Sequence, residues 1–218
     1  MLPTATLLTA NGLYLGSAFR TNPSLFWILD LTQFVFVPLL SIWALWRFGR
    51  VRPQDYGLGR LVDDEDLLSA IALYSFVISV FAFGYGTAKF LAIFVPWGWP
   101  PSDFSYSDAF PSGPVASLAV LAYVSLSAAF VEEIIYRGLP AAYLSARMAL
   151  PRLKLLYPLI SALAFALIHW ENGSREFVAT FLLGIVLAAL YIRIRNLWPF
   201  VVGHAVTDML AFTGYYGS

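Results

Sequence analysis

The stretch FVEEIIYRGLP, residues 130–140, places three charged side chains at the end of an apolar run that is long enough to cross a membrane. Around it, hydrophobic residues make up 60% of the chain and charged residues 12%. Soluble domains carry about twice that charged fraction, ~25%. The 218 residues therefore predict an all-α fold, a polytopic transmembrane bundle of about six to seven helices at roughly 20 apolar residues per crossing.

Apolar segments that are long enough to cross a membrane recur along the chain, each bounded by charge, Pro or Gly. The first twenty residues are a further candidate, as a seventh crossing or as an interfacial segment. They have no Lys or Arg ahead of their apolar part, which argues against a cleaved signal peptide. The main segments cover roughly residues 25–46, 67–95, 114–136, 154–170, 175–194 and 197–216.

The basic residues predict the orientation of the bundle, because cytoplasmic loops retain Lys and Arg. Most of the 13 basic residues follow the first, third or fifth apolar segment. We therefore expect a multi-pass protein of the plasma (inner) membrane, with these loops in the cytoplasm and the C-terminus outside. The residues in question are Arg47, Arg50, Arg52, Arg60, Arg137, Arg147, Arg152, Lys154, Arg193 and Arg195.

Few ionisable residues lie within the apolar segments, where a charge is costly to bury unless it pairs or faces a polar cavity. Both histidines of the chain, His169 and His204, lie in such segments. Asp208 follows His204 by four residues, so the two share one face of a helix. Two further residues, Asp30 and Lys89, are expected to extend toward the interface from the ends of their segments.

The two neighbouring glutamates of the opening stretch have different surroundings. Glu133 and Arg137 have the i, i+4 spacing and the order that favour an ion pair within one helix. Glu132 is left without a partner on its own helix. The sequence thus predicts one neutralised and one free carboxylate beside two histidines, which indicates a polar site inside the bundle.

The depth of these groups predicts the length of the third helix. A helix ending at Arg137 would place Glu132 and His169 at different depths. If the helix continues to about residue 149, with a kink at 138–140, Glu132 lies ~23 Å from Arg147 at the helical rise per residue. His169 then lies ~22 Å from Lys154. We therefore predict one long, kinked helix over about residues 114–149.

Three motifs carry a resemblance to a known family. VEEIIYRG fits the pattern E-E-x-x-x-R, FALIH fits F-x-x-x-H, and HAVTD fits H-x-x-x-N/D. In this order the motifs resemble the CPBP family, the CAAX proteases and bacteriocin-processing enzymes, also called the Abi family. The resemblance implies a catalytic transmembrane core at 114–216, which follows an N-terminal membrane region with two transmembrane helices at 1–113.

The same resemblance implies an intramembrane endopeptidase of the glutamate type. It would cleave near the C-terminus of a prenylated or sorting-tagged, membrane-anchored protein or peptide. Glu132 and His169 would activate water, and His204 and Asp208 would stabilise the oxyanion. Because an ionised Asp cannot donate a hydrogen bond, Asp208 must either be protonated or orient His204.

The remaining motif residues are assigned supporting roles. Glu133, paired with Arg137, is interpreted as scaffolding, and Phe165 is expected to pack one turn before His169. We expect the active site to be reached from the cytoplasmic side, with membrane lipid and a membrane-anchored substrate as partners. No basic cluster interleaved with aromatic residues indicates a nucleic-acid partner.

Two alternatives stay open at the level of sequence. The two histidines and the carboxylates could bind zinc, as in a metalloprotease. We favour a site without a cofactor or metal, because the sequence has no HExxH motif and Arg137 occupies one carboxylate. The other alternative is a non-catalytic scaffold, an immunity protein or a proton-coupled transporter. The absence of inverted repeats argues against the transporter.

Overall fold

The protein was analysed as a computed structural model, which describes residues 23–59, 61, 67–96, 98–101, 111, 113–145 and 149–216. The candidate seventh crossing at residues 1–20 lies outside these residues, as do Arg60 and Arg147. The described residues form a bundle of long helices. They are α1 (Ser24–Arg47), α2 (Leu67–Ala92), α3 (Pro114–Ser145), α4 (Leu150–Leu167), α5 (Ser174–Ile194) and α6 (Trp198–Tyr216).

The first five of these helices are long and apolar enough to cross a membrane, so the all-α, multi-pass prediction is confirmed. Large apolar side chains cover their outer surfaces, where lipid replaces water; Leu40, Phe83 and Leu155 are among those exposed. Inside the bundle, α5 packs on α4 and α2, and α6 packs on α2 and α3. At Gly184 of α5, an added Cβ would lie 3.0 Å from Ala162 of α4. Small residues here let the two backbones approach closely.

The long third helix is present, but its irregularity lies earlier than predicted. Instead of a kink at 138–140, the helix has a π-helical segment over Glu133–Gly138. An α-helical part, Leu139–Ser145, follows directly and includes Pro140. Pro140 has no N–H to donate to the carbonyl of Tyr136. The Ser161 hydroxyl of α4 donates to that carbonyl instead. The neighbouring α4 therefore satisfies the carbonyl that the proline leaves free.

The fourth helix ends earlier than predicted. Its last residue is Leu167, so His169 lies just beyond it and not within it. The His169 amide donates to the carbonyl of Ala166 at 3.0 Å, which tightens the last turn. A short 3₁₀ turn, Trp170–Asn172, then leads into α5. His169 is thus held at the junction of two helices.

Different connections join the helices at the two ends of the bundle. At one end, the Leu197 amide donates to Gly57 at 2.9 Å, and the Tyr191 hydroxyl donates to the carbonyl of Tyr56 at 3.0 Å. We call this the basic end, because most of the described Arg and Lys residues lie there. At the other, distal end, the Trp99 indole donates to the carbonyl of Trp170 at 2.6 Å. The segment after α2 therefore packs on the connection between α4 and α5.

Candidate functional site

A cavity of about 370 Å³ lies between the helices. Glu132 of α3, His169 after α4, and His204 and Asp208 of α6 all line it. Glu132 and His204 are nearly inaccessible to solvent, with 6% of each residue exposed. The structure therefore places the four residues that the motifs single out around one space.

Arg137 lies beside the cavity in a fully buried position. Its Nη1 atom is 2.9 Å from Glu133 Oε1, and neither side chain has any exposed surface. The guanidinium carbon also lies 4.0 Å from the centroid of the Phe165 ring, a cation–π distance. The ion pair predicted between Glu133 and Arg137 is thus present.

Glu133 makes a second contact that was not predicted. Its Oε1 atom lies 2.8 Å from Nδ1 of His204, on another helix. A carboxylate oxygen accepts, so Nδ1 donates when Glu133 is ionised. Glu133 is therefore more than the scaffold assigned from sequence, since it also fixes the orientation of the His204 ring. The i, i+4 rule could not reveal this contact because it connects residues 71 positions apart.

The other nitrogen of His204 lies between two carboxylates. Nε2 is 3.8 Å from Glu132 Oε2 and 3.6 Å from Asp208 Oδ2. The ring also stacks on Phe81 of α2, with centroids 5.5 Å apart. His204 therefore links α3 to α6 and shares its Nε2 atom between two acidic groups.

Phe165 lies between the two imidazoles. Its ring centroid is 4.8 Å from that of His169 and 5.9 Å from that of His204. The packing expected one turn before His169 is therefore found, and it extends to the second histidine. The His169 Nδ1 atom lies 2.9 Å from the carbonyl of Phe165. Since a carbonyl only accepts, Nδ1 carries the proton, and Nε2 of the neutral ring is an acceptor.

Part of the cavity wall comes from α1, which sequence reasoning did not connect to the site. Asp30 and Gln33 line the cavity, and Gln33 lies within a π-helical turn over Thr32–Phe36. Asp30 is only 4% exposed, and the Tyr123 hydroxyl donates to it at 2.9 Å. The expectation that Asp30 extends to the interface is therefore wrong. A tyrosine on α3 satisfies the carboxylate inside the bundle.

Lys89 reaches solvent near the end of α2, as expected, and it also forms an ion pair that was not predicted. Its ammonium is 2.7 Å from Glu176 of α5, and Glu176 in turn accepts from the Tyr85 hydroxyl at 2.7 Å. All three residues line the cavity. Half of the Lys89 side chain is exposed, so it reaches solvent while pairing across α2 and α5. No spacing rule connects Glu176 to the other two residues, because it lies 91 positions after Tyr85 and 87 after Lys89.

The family comparison agrees with the motifs. Residues 114–210 match the family of type II CAAX prenyl endopeptidase Rce1-like proteins. Residues 114–210 thus form an Rce1-like domain, which agrees with the resemblance of the motifs to the CPBP family. Comparisons with curated proteins and with solved structures gave no match.

The zinc alternative can be compared with the geometry of the side chains. Within the described residues, no group of three or more His, Asp, Glu or Cys side chains is arranged to hold a metal ion. Nδ1 of His204, one potential ligand atom, is engaged by Glu133. The metal-free site favoured from the sequence stays a prediction.

Proposed function

We propose that the protein is an intramembrane endopeptidase in which Glu132 and His169 activate the attacking water. One observation carries the proposal. Of two adjacent buried glutamates, Glu133 is neutralised by Arg137, whereas Glu132 lines the cavity and has only the imidazole of His204 at ion-pair distance among the described residues. A carboxylate without a permanent cation is free to take a proton from water.

His169 suits the same step. Its Nδ1 proton is committed to the carbonyl of Phe165, so Nε2 is the acceptor atom. Glu132 and His169 together orient a water and receive its proton while the oxygen attacks the carbonyl carbon of the substrate. Such positioned bases typically accelerate proton transfer by ~10²–10⁴-fold.

His204 and Asp208 are assigned to the oxygen that becomes negative in the tetrahedral intermediate. His204 is suited to this role because Glu133 holds Nδ1 and directs Nε2 to the side where Glu132 and Asp208 lie. Donation to an oxyanion requires a proton on Nε2. When the intermediate collapses, the C–N bond breaks and the proton taken from water passes to the leaving amine. One product then ends in a free carboxyl group, and the other begins with a free amino group.

The Rce1-like domain and the setting of the site support a proposal for the substrate class. A cavity inside an apolar bundle favours a peptide that is already attached to the membrane. We propose that the protein cleaves near the C-terminus of a prenylated or sorting-tagged polypeptide in the plasma membrane. A metal-free mechanism predicts full activity after exhaustive chelation, and loss of cleavage that added zinc restores would favour the metalloprotease.

The experiment that tests this function compares variants on a panel of membrane-anchored peptides. The wild type should cut at one bond, and Glu132→Gln should cut at least ~10²-fold more slowly, because the amide cannot act as a base. Asp55→Asn is a matched control at the basic end, where the side chain accepts from the Arg52 amide at 2.7 Å. Undiminished cleavage by Glu132→Gln would refute the assignment. No cleavage of any peptide by the wild type would favour the scaffold alternative.

A further inference from the structure

The cavity has a consistent position along the helices. In α1, α2, α4 and α5 its lining lies in the half remote from the basic end. In α3 and α6 it begins at Glu132 and His204 and runs away from that end. The lining positions fall within 26–34 on α1, 81–89 on α2, 124–132 on α3, 165–169 at the end of α4, 176–183 on α5 and 204–212 on α6.

The basic end of the bundle is closed below the site. Glu133 and Arg137 are completely buried, and Tyr136 is 1% exposed. Next to them, Leu197 and Phe200 at the start of α6 have no exposed surface. Among the described residues, this buried layer lies between the cavity and the basic end.

At the distal end, by contrast, the cavity lining reaches solvent-exposed residues. Lys89, Pro101 and Asn172 line it and are all exposed. They come from the end of α2, the segment after it, and the connection between α4 and α5. The cavity therefore leads from Glu132 toward the distal end.

The charges of the two ends indicate which one faces the cytoplasm. Among the described residues, the distal end carries only Lys89, which is paired with Glu176, and Arg175. The basic end carries many more cations, and short loops rich in Lys and Arg stay in the cytoplasm. The described cations at the basic end are Arg47, Arg50, Arg52, Arg152, Lys154, Arg193 and Arg195.

We propose that the active-site cavity opens to the non-cytoplasmic side of the membrane. The substrate is then a membrane-anchored polypeptide whose cleavable segment has been exported across the membrane, a conclusion that rests on the proposed peptidase function. This replaces the sequence-based expectation of access from the cytoplasm. That expectation combined a cytoplasmic basic end with a cytoplasmic entrance, and the structure puts the two at opposite ends.

The test uses the fact that the chain has no cysteine, so single cysteines report position without background. Asn172→Cys marks the cavity mouth, and Gln54→Cys is a matched amide-to-thiol change on the exposed surface of the basic end. In sealed spheroplasts, a membrane-impermeant maleimide should label Asn172→Cys to the level reached after lysis. Gln54→Cys should label only after lysis. The reverse pattern, or equal labelling of both, would overturn the proposal.

A second pair, Pro101→Cys and Tyr143→Cys, repeats the comparison if either first variant is not produced. A parallel assay presents the same anchored peptide on one side of the membrane or the other. Cleavage of only the exported version is expected, and cleavage of only the cytoplasmic version would contradict the assigned side. Labelling does not require the protein to be active, so it decides on which side of the membrane the cavity opens in either case. Absence of cleavage would count only against the peptidase function.

Discussion

At the scale of the residue, neighbouring side chains of one type differ because their contacts differ. Glu132 and Glu133 are adjacent in sequence and both are buried. Glu133 contacts Arg137 and His204 through one oxygen, at 2.9 and 2.8 Å, whereas Glu132 faces the cavity. Position on the helix, and not residue type, therefore separates a supporting carboxylate from a candidate base.

The buried pair of Glu133 and Arg137 gives a stability prediction. Arg137→Met removes the cation and leaves a buried carboxylate, which should lower the free energy of unfolding by ~3–5 kcal/mol. Adding Glu133→Gln removes the buried carboxylate that has lost its cation. The double variant should therefore be more stable than Arg137→Met alone. Thermal unfolding in detergent measures both. A double variant that is less stable than Arg137→Met would show that the ion pair is not what determines stability here.

Asp208 gives a prediction about function. If its role is to donate to the oxyanion, Asp208→Asn preserves a donor of the same shape and should change kcat by less than ~10-fold, or ~1.4 kcal/mol in the barrier. Asp208→Leu removes the polar group and should lower kcat by ~10²–10³-fold. The rates are measured on one anchored peptide. Equal rates for the leucine variant and the wild type would remove Asp208 from the site.

At the scale of the element, α3 is held to its neighbours where its π-helical segment ends. A Cβ added to Gly138 would lie 2.5 Å from the carbonyl of Tyr56 and 2.7 Å from a methyl carbon of Leu197. Glycine thus permits the approach of three segments at the basic end. The same layer closes the cavity on that side.

This contact predicts opposite effects for two glycine substitutions. Gly138→Ala should destabilise the protein by about 1–3 kcal/mol, since packed backbone must move. Gly86→Ala in α2, where nothing lies within 4 Å of an added Cβ, should stabilise by up to about 1 kcal/mol through helix propensity. Unfolding in detergent compares them. If both substitutions changed the free energy of unfolding similarly, the close contact at Gly138 would not contribute to stability.

Sequence reasoning located the helices because apolar length alone specifies a membrane crossing. The depth argument extended α3 beyond Arg137, since charged groups must meet at one level. The π-helical segment was missed because two of its carbonyls accept from hydroxyls of another helix, those of Ser161 and Tyr157 of α4. The roles of Asp30 and Glu133 were missed for a similar reason, as their partners lie on other helices. The division of the chain at residue 113 stays a prediction, although α1 contributes to the cavity.

At the scale of the whole molecule, the bundle combines a closed basic end with a cavity that leads to the distal end. The catalytic candidates lie where these two parts meet, with buried packing on one side and polar lining on the other. In the proposed function, water enters this cavity from the distal end and reaches a site inside the membrane.

The central claim is that Glu132 and His169 act together on one water. The most direct measurement is kcat for Glu132→Gln, His169→Asn and the double variant on the same anchored peptide. Each single variant should lose ~10²–10⁴-fold, and the double variant should be no slower than the slower single variant, because residues that act as a unit are not additive. Losses that multiply in the double variant would contradict the account.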